Sequence, residues 1–327
     1  MVQKLTLAAA TLLAIALPAV ALAQSASSPV SPPDPFAVVA TLDQATTGLV
    51  GPFSIDVGPD GNLYVADLEP SIRVISPTGQ PVRSWGTPGT GPGQLNFGDS
   101  RAAIAVGADG LVYVSEGGNH RIQVFQPDGT FVRQFGSFGD GPGQFLDPMG
   151  VAVDTSGDVA VIDDGAQTVS MFDPTGAVLW SIGGSGETDP DLVGHHHRGE
   201  FDSQGRLWLT NDDNSRVVAL DQDGHKVDAY GVSGTGPGQF EGTSSVTFDA
   251  SDNAYVDECS AKRLQVLDPQ HQVLGVLSAP DGLPFGDSYA FGSDGLLYAI
   301  VGGDHCAGTA PSGSATADIL VMKVTLP

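Results

Sequence analysis

The chain has 327 residues, of which 44 are Gly and 23 are Pro, so it is long enough for a large core while its composition argues against long helices. Its 13 Lys and Arg stand against 38 Asp and Glu, a formal net charge of −25. This balance excludes the basic surface typical of proteins that bind nucleic acids or anionic membranes.

The first 23 residues have the pattern of a signal peptide. Lys4 precedes an apolar run over residues 5–20, and the small residues Ala21 and Ala23 fit a cleavage site before residue 24. The run is short and contains Pro18, which favours a cleaved signal over a membrane anchor. We therefore expect a secreted or periplasmic protein with no transmembrane anchor after signal removal.

Residues 24–34, QSASSPVSPPD, are predicted to form a Ser/Pro-rich linker before a single domain over residues 35–327. This domain contains six repeats, each with four short strand patterns and turns such as GPDGN. One position in the first strand recurs at spacings of 49, 47, 48, 47 and 43 residues: Ile55, Ile104, Val151, Gly199, Val246 and Tyr289. The pattern predicts an all-β fold, a six-bladed β-propeller.

The sixth repeat lacks a fourth strand at the C-terminus. Residues 35–43, PFAVVATLD, form an alternating apolar segment ahead of the first repeat. We expect this N-terminal strand to complete the last blade, because closing the ring removes exposed sheet edges.

A glycine-rich motif occurs three times, as GTGPGQL at 89–95, GDGPGQF at 139–145 and GTGPGQF at 234–240. A phosphate loop would continue with Gly-Lys-Ser/Thr, which is not found here. The repetition predicts structural links from the outer strand of one blade to the inner strand of the next, with glycines in positive-φ turns.

An acid or amide ends the second strand in five repeats, at Asp67, Glu116, Asp163, Asn211 and Glu258. An arginine follows a few residues later in four of them, at Arg73, Arg121, Arg216 and Arg263. Because the pair recurs regardless of blade, a repeated structural contact is favoured over substrate binding.

Residues Gly118 to Asp154, GNHRIQVFQPDGTFVRQFGSFGDGPGQFLDPMGVAVD, resemble the NHL repeat, and weaker copies cover nearly all of the chain after residue 35. The resemblance implies a propeller of NHL type. Members of that family bind proteins, RNA or other ligands, and a minority are enzymes, so the resemblance leaves the activity open.

The residues just before each inner strand are expected to ring one mouth of the channel. Repeat alignment gives Phe53, Ala102, Met149, His197, Ser244 and Asp287, with Arg101, His196 and Arg198 beside them. The predicted ligand-binding set is Phe53, Arg101, Met149, His197, Arg198, Ser244 and Asp287. Such a mixed rim suits a small molecule, a peptide or a protein partner.

The segment GHHHRGEF, residues 194–201, has no counterpart in the other repeats. On an extended strand His195 and His197 face one way and His196 the other. His197, Asp287 and His305 are candidate metal ligands, with zinc or calcium open as the cofactor, and rim histidines without a metal are the alternative. The chain also distantly resembles the propeller of the peptide-amidating lyase, but only His197 matches that enzyme's histidine placement.

Cys259 and Cys306 are the only two cysteines. In an exported chain this favours a disulfide, which would join the equivalent loops of the last two blades.

The first function hypothesis from the sequence is an exported monomeric propeller that binds a small-molecule, peptide or protein ligand at the channel mouth. A metal-dependent lyase or lactonase-like hydrolase with a histidine-containing site at the same mouth is the alternative, and no catalytic residue is assigned.

Overall fold

The structure is a computed structural model that describes residues 36–98, 102–185, 187–192, 194–278, 285–302 and 317–326. Residues 35–327 form one compact unit. Within these residues the strands far outnumber the two short helical turns, which are α1 (Gln44–Thr47) and a 3₁₀ turn (Gly117–Asn119). The all-β class predicted from the repeat pattern is confirmed.

Six antiparallel sheets of four strands each form the blades, numbered here in chain order. The first strand of the chain is β1 (Phe36–Leu42). Blade one contains β2 (Pro52–Val57), β3 (Leu63–Asp67), β4 (Ser71–Ile75) and β5 (Pro81–Trp85). The loop that follows contains a short parallel pair, β6 (Thr87–Pro88) and β7 (Gln94–Leu95). Blade two contains β8 (Ile104–Val106), β9 (Val112–Glu116), β10 (Arg121–Phe125) and β11 (Phe131–Phe135).

The remaining blades follow the same order from the inner strand outward. Blade three contains β12 (Pro148–Val153), β13 (Val159–Asp163), β14 (Thr168–Phe172) and β15 (Val178–Gly183). Blade four contains β16 (Gly199–Phe201), β17 (Leu207–Asn211), β18 (Arg216–Leu220) and β19 (Lys226–Tyr230). Blade five contains β20 (Thr243–Phe248), β21 (Ala254–Glu258), β22 (Arg263–Leu267) and β23 (Val273–Ser278). Blade six contains β24 (Phe285–Phe291), β25 (Leu296–Val301), β26 (Asp318–Val324) and β1.

The inner strands contact one another in a closed ring. Each of β2, β8, β12, β16 and β20 contacts the next inner strand, and β24 contacts both β20 and β2. This arrangement is a six-bladed β-propeller, as the repeat spacing predicts. Blades one and four lie opposite each other across the central channel.

The N-terminal strand is the outermost strand of blade six. β1 pairs antiparallel with β26, from Phe36 opposite Val324 to Leu42 opposite Ile319. The sheet therefore contains both ends of the described chain. Pairing across the two ends covers the edge of β26 that would otherwise be exposed.

Apolar side chains fill the spaces between neighbouring blades. Between blades one and two, Phe53, Tyr64 and Phe125 belong to one buried cluster. The turn after β10 covers this cluster at close range: a Cβ added to Gly129, which has φ of 88°, would lie 2.6 Å from the ring of Trp85. Glycine is therefore required there both for its backbone conformation and for the close approach.

The three Gly-Pro-Gly-Gln loops connect the outer strand of one blade to the inner strand of the next, as predicted. In the first of them the Gln94 side-chain oxygen accepts a hydrogen bond from Gly91 N–H at 2.9 Å, and Leu95 is buried. Equivalent bonds join Gln144 to Gly141 and Gln239 to Gly236. The loops are folded on themselves, which supports their structural interpretation.

The buried acids at the ends of the second strands fasten these loops to their blades. Glu116 accepts from Asn96 N–H at 2.8 Å and pairs with Arg121 Nε at 2.7 Å. The same position accepts loop N–H groups in three other blades, at Asp67, Asp163 and Glu258. Arg73 and Arg263 pair with the acids of their blades as predicted, which makes the recurring contact structural.

Candidate functional site at one mouth of the channel

A cavity of about 200 Å³ lies on the channel axis, between the inner strands of all six blades. One end of this channel is surrounded by the interblade loops and by the turns between second and third strands. We call this side the mouth face. It is the face on which the sequence places the candidate site.

The predicted rim residues divide into buried and half-buried groups. The Phe53 ring is 4% exposed and packs edge-on against Phe97, with 5.4 Å between ring centroids. Ser244 is 6% exposed, and its hydroxyl donates to the Asp257 carboxylate. The side chains of Phe53 and Ser244 are therefore parts of the core and not of an open rim. Met149 is half-buried.

Arg101, His305, Cys306 and the side chain of Asp287 lie outside the described residues. Cys259 is buried in the turn after β21. Its disulfide with Cys306 stays a prediction, as does the metal set of His197, Asp287 and His305.

Burial alternates along the three consecutive histidines, although residues 195–198 are not part of a strand. His196 is 2% exposed, with Nδ1 at 3.0 Å from the Thr210 carbonyl oxygen, and its burial lowers its pKa, opposed by that contact. His195 and His197 keep solvent access on the mouth face. His195 Nδ1 lies 2.9 Å from Asp164 Oδ1, and His197 Nε2 lies 3.9 Å from Asp212 Oδ2. The mouth therefore carries two His–Asp pairs.

The loop that carries these histidines has its own fastening. It has no Gly-Pro-Gly-Gln motif, and Arg216 pairs with Asp191 at 2.9 Å instead of with Asn211, which corrects the prediction for this blade. Asn211 Nδ2 donates to the Asp191 carbonyl oxygen at 3.1 Å. Lys226 Nζ lies 2.8 Å from Asp191 Oδ2. These contacts hold the base of the loop, so the histidine segment begins from a fixed point.

Arg198 extends across the channel from blade four to blades one and two. Its Nη1 donates to Ser54 Oγ at 2.9 Å, and its Nη2 donates to the Phe53 carbonyl oxygen at 3.2 Å. A longer contact of 3.5 Å reaches the Ala102 carbonyl oxygen. Small residues occupy the equivalent position in the other blades, which leaves room for this side chain: Ser54, Ala103, Gly150, Ser245 and Ser288.

Two carboxyl groups below Arg198 were not identified from the sequence. Asp56 on blade one and Glu200 on blade four both line the cavity. Burial raises the pKa of Asp56 to about 6, opposed by hydrogen bonds from the N–H groups of Val106 and Val57. Burial also raises the pKa of Glu200 to about 8; the charge of Asp56 raises it further and the Thr247 hydroxyl lowers it.

A signal for these acids was present in the repeat alignment. The equivalent positions in the other four blades are Ala105, Ala152, Thr247 and Ala290. Two long acidic side chains at a position that is otherwise small or uncharged, on opposite blades, would have indicated an axial pair. Perturbed carboxyl pKa values in a cleft are typical of functional sites, although ion pairs in a framework also produce them.

Within the described residues, no group of three His, Cys, Asp or Glu side chains lies close enough to hold a metal ion. The same part of the chain contains no helix that is long and apolar enough to cross a membrane.

Comparisons with known proteins agree with the architecture. A family model described as a 6-bladed beta-propeller matches residues 105–180. A streptogramin B lyase structure superposes with a TM-score of 0.59 at 12% identity, covering 88% of this chain and 98% of the lyase chain. A catalytically inactive histidine-to-alanine variant of virginiamycin B lyase from Staphylococcus aureus, solved with quinupristin, also gives 0.59 at 12% identity, covering 87% and 99%.

A chain of a nidogen/laminin complex superposes with a TM-score of 0.53 at 18% identity, covering 70% of this chain and 80% of that chain. Identities this low establish the fold without its function. The NHL type of the repeats stays a prediction. What the comparisons and the structure share is a six-bladed β-propeller fold of a kind found in both lyases and binding proteins.

Proposed function

We propose that this propeller is an exported NHL-type protein that binds a small-molecule or peptide ligand at the mouth of its channel. The observation that carries the proposal is the side chain of Arg198, which is held across the channel opening by oxygens of blade one. A guanidinium fixed at the opening of a concave site suits a carboxylate or carbonyl oxygen of a ligand.

The histidine segment adds groups of the right kind on the same face. His195 and His197 keep solvent access; His195 lies within hydrogen-bond distance of Asp164, and His197 lies 3.9 Å from Asp212. Imidazole nitrogens can donate or accept hydrogen bonds near neutral pH, so the ligand would meet both a fixed cation and adaptable donors. The unusual fastening of this loop by Asp191 and Arg216 supports a role that the other loops do not share.

Histidine NMR signals can test this proposal, because the chain has only seven histidines. N-acetylglycine, which carries a carboxylate and an amide, is the probe. We expect titration to shift the His195 and His197 signals, and we expect His197→Ala to weaken binding without changing the melting temperature. His225→Ala is the matched control, because His225 is largely exposed in the turn after β18 on the opposite face. Equal shifts at His225 would contradict a localised site.

A lyase or lactonase-like hydrolase at the same mouth is the second candidate. The two His–Asp pairs favour it, because an imidazole close to a carboxylate can act as a general base. Its metal dependence would require ligands outside the described residues, such as His305. Incubation with quinupristin, followed by chromatography and mass spectrometry, tests the candidate. Turnover that His197→Ala abolishes and His225→Ala preserves would favour an enzyme over a binding protein.

A further inference from the structure

The interior of the channel has a chemistry distinct from that of its mouth. Asp56 and Glu200 come from opposite blades, and both line the 200 Å³ cavity. Both side chains are half-buried, because protein surrounds them while part of their surface faces the cavity. Two carboxyl groups are thus directed from opposite walls toward one small space.

Asp56 is held rigidly in this arrangement. Its Oδ1 accepts from Val57 N–H at 2.7 Å, and its Oδ2 accepts from Val106 N–H at 2.6 Å. Each carboxylate oxygen can accept more than one hydrogen bond. The carboxyl group is therefore positioned by the backbone and still has acceptor capacity for a ligand.

A buried hydroxyl group in the same cavity supplies an independent indication of a ligand. Ser245 lines the cavity, is 4% exposed, and its Oγ has no hydrogen-bond partner within the described residues. In the repeat it occupies the position of Arg198, and on β20 it shares a face with Thr247, the equivalent of Glu200. Its side chain therefore faces the axis. A buried hydroxyl without a partner is costly unless something in the cavity bonds to it.

Three acceptors that line the cavity define the head group of the ligand. A primary ammonium group has three N–H donors, one for each of Asp56, Glu200 and Ser245. The small side chains of Ala105 and Ala152, at the positions equivalent to Asp56 and Glu200, line the same cavity and leave room for a short alkyl group. Two carboxylates and the Arg198 guanidinium carry a net charge of −1, which one ammonium ion neutralises.

We propose that the channel interior binds a small primary alkylammonium ion between Asp56, Glu200 and Ser245. This site goes beyond the ligand site proposed at the mouth and does not depend on it. An organic ammonium ion fits better than a transition-metal ion, because among the described residues no third His, Cys, Asp or Glu side chain joins Asp56 and Glu200 in a group that could hold a metal.

The proposal carries a proton signature. The titratable and charged residues that line the cavity are Asp56, Arg198, Glu200 and Tyr289. Because the pKa of Glu200 is raised to about 8, its carboxyl group is mostly protonated at pH 7 in the unliganded protein. Binding a cation favours the ionised form, so binding at pH 7 should release close to one proton, and binding at pH 9 should release few.

Isothermal titration calorimetry with n-butylammonium chloride tests the site, in two buffers of different ionisation enthalpy. We expect saturable binding with proton release at pH 7, and we expect Glu200→Gln to weaken it about tenfold or more because a charged acceptor is lost. Ser245→Ala should weaken it less. His197→Ala should leave it unchanged, which separates this site from the mouth.

Tetramethylammonium chloride is the matched control ligand, because it has the charge and no N–H donor. Equal binding of tetramethylammonium, an unchanged affinity in a folded Glu200→Gln variant, or no saturable binding of butylammonium would each overturn the proposal. Calcium chloride forms a third arm of the experiment. Binding of calcium that depends on Glu200, without binding of butylammonium, would assign the site to a metal ion instead.

Discussion

The loops that lead into blades two and four occupy the same place in the repeat but are built differently. The loop before blade two folds around Gln94 and is fastened by Glu116 and Arg121, which are 0% and 6% exposed. The loop before blade four is fastened by Asp191 and Arg216, and Arg216 is one-third exposed. The first is a buried repeated unit, and the second is an exception near the surface.

This difference separates a repeated structural loop from a loop built around polar groups of its own. Loops of the first kind recur before blades two, three and five with nearly the same residues. The exceptional loop ends in His195, His197 and Arg198, which are the polar groups of the mouth. The framework and the mouth should therefore respond to substitution in opposite ways: framework changes should alter stability, and mouth changes should alter binding.

The largest effect is expected from the strand that joins the two ends of the chain. A chain that begins at residue 44 lacks β1, so β26 loses its pairing from Ile319 to Val324 and becomes an exposed edge. We expect loss of the cooperative thermal transition, followed by circular dichroism. A chain that begins at residue 35 keeps β1 and is the control. If both chains melt alike, β1 does not stabilise the ring.

A buried framework acid should have the next largest effect. Glu116→Ala leaves Arg121 without its carboxylate in a buried site, which should lower the free energy of unfolding by about 3–5 kcal/mol. Glu69→Ala removes the same charge from a surface pair with Arg73, where Glu69 is 71% exposed, and should cost about 0–1 kcal/mol. Urea denaturation measures both. Similar losses of unfolding free energy in the two variants would show that the recurring acid–arginine pair is not a buried framework contact.

The framework could be predicted well from the sequence, because the residues that make its contacts recur in several repeats. The repeat length, the strand order and the glycine-rich loops all follow from local patterns that recur. The mouth was predicted less well, because the alignment used the residue two positions before each marker. Phe53 and Ser244 lie at the register shifts that begin β2 and β20. Phe53 packs in the cluster between blades one and two, and Ser244 donates to the buried Asp257, so neither side chain is open at the mouth.

The axial residues lie one position to either side of the marker, on the opposite face of the strand. Arg198 and Glu200 are such residues on blade four, and Asp56 is one on blade one. Neighbouring residues on a strand point to opposite faces. The rim residues were chosen two positions before each marker, so they did not include Asp56 and Glu200, which lie one position after it. His197 kept its solvent access because the chain before β16 is not part of a strand.

The loop before blade four allows a test that separates a loss of global stability from a loss of local order in the loop. Arg216→Met removes a partly exposed ion pair and should cost about 1 kcal/mol or less of unfolding free energy. Because Arg216 holds Asp191 at the base of the loop, residues 187–198 should exchange their amide hydrogens faster. Hydrogen exchange measured by mass spectrometry reports this. Arg73→Met, which removes the equivalent pair with Asp67, should leave the loop before blade four unchanged.

A slope of stability with pH is expected to originate in the channel. The ordinary pKa of Glu200 is 4.5, and burial raises it to about 8 in the folded state. A carboxyl group with a raised pKa makes its full contribution to stability below its unfolded pKa and loses it as the pH rises through the folded value. His196 has a lowered pKa and acts in the opposite direction, but only below about its ordinary value of 6.5. The interval from pH 7 to 9 therefore isolates Glu200, and the melting temperature should fall across it.

Glu200→Gln keeps the shape of the side chain without the charge, so its melting temperature should stay nearly level over the same interval. Asp56→Asn is the informative comparison, because the pKa of Asp56 is raised only to about 6 and most of its own effect lies below pH 7. Because the charge of Asp56 also raises the pKa of Glu200, Asp56→Asn should move the remaining fall to lower pH. Parallel slopes in the native protein and Glu200→Gln would show that the channel carboxyl group is not the source.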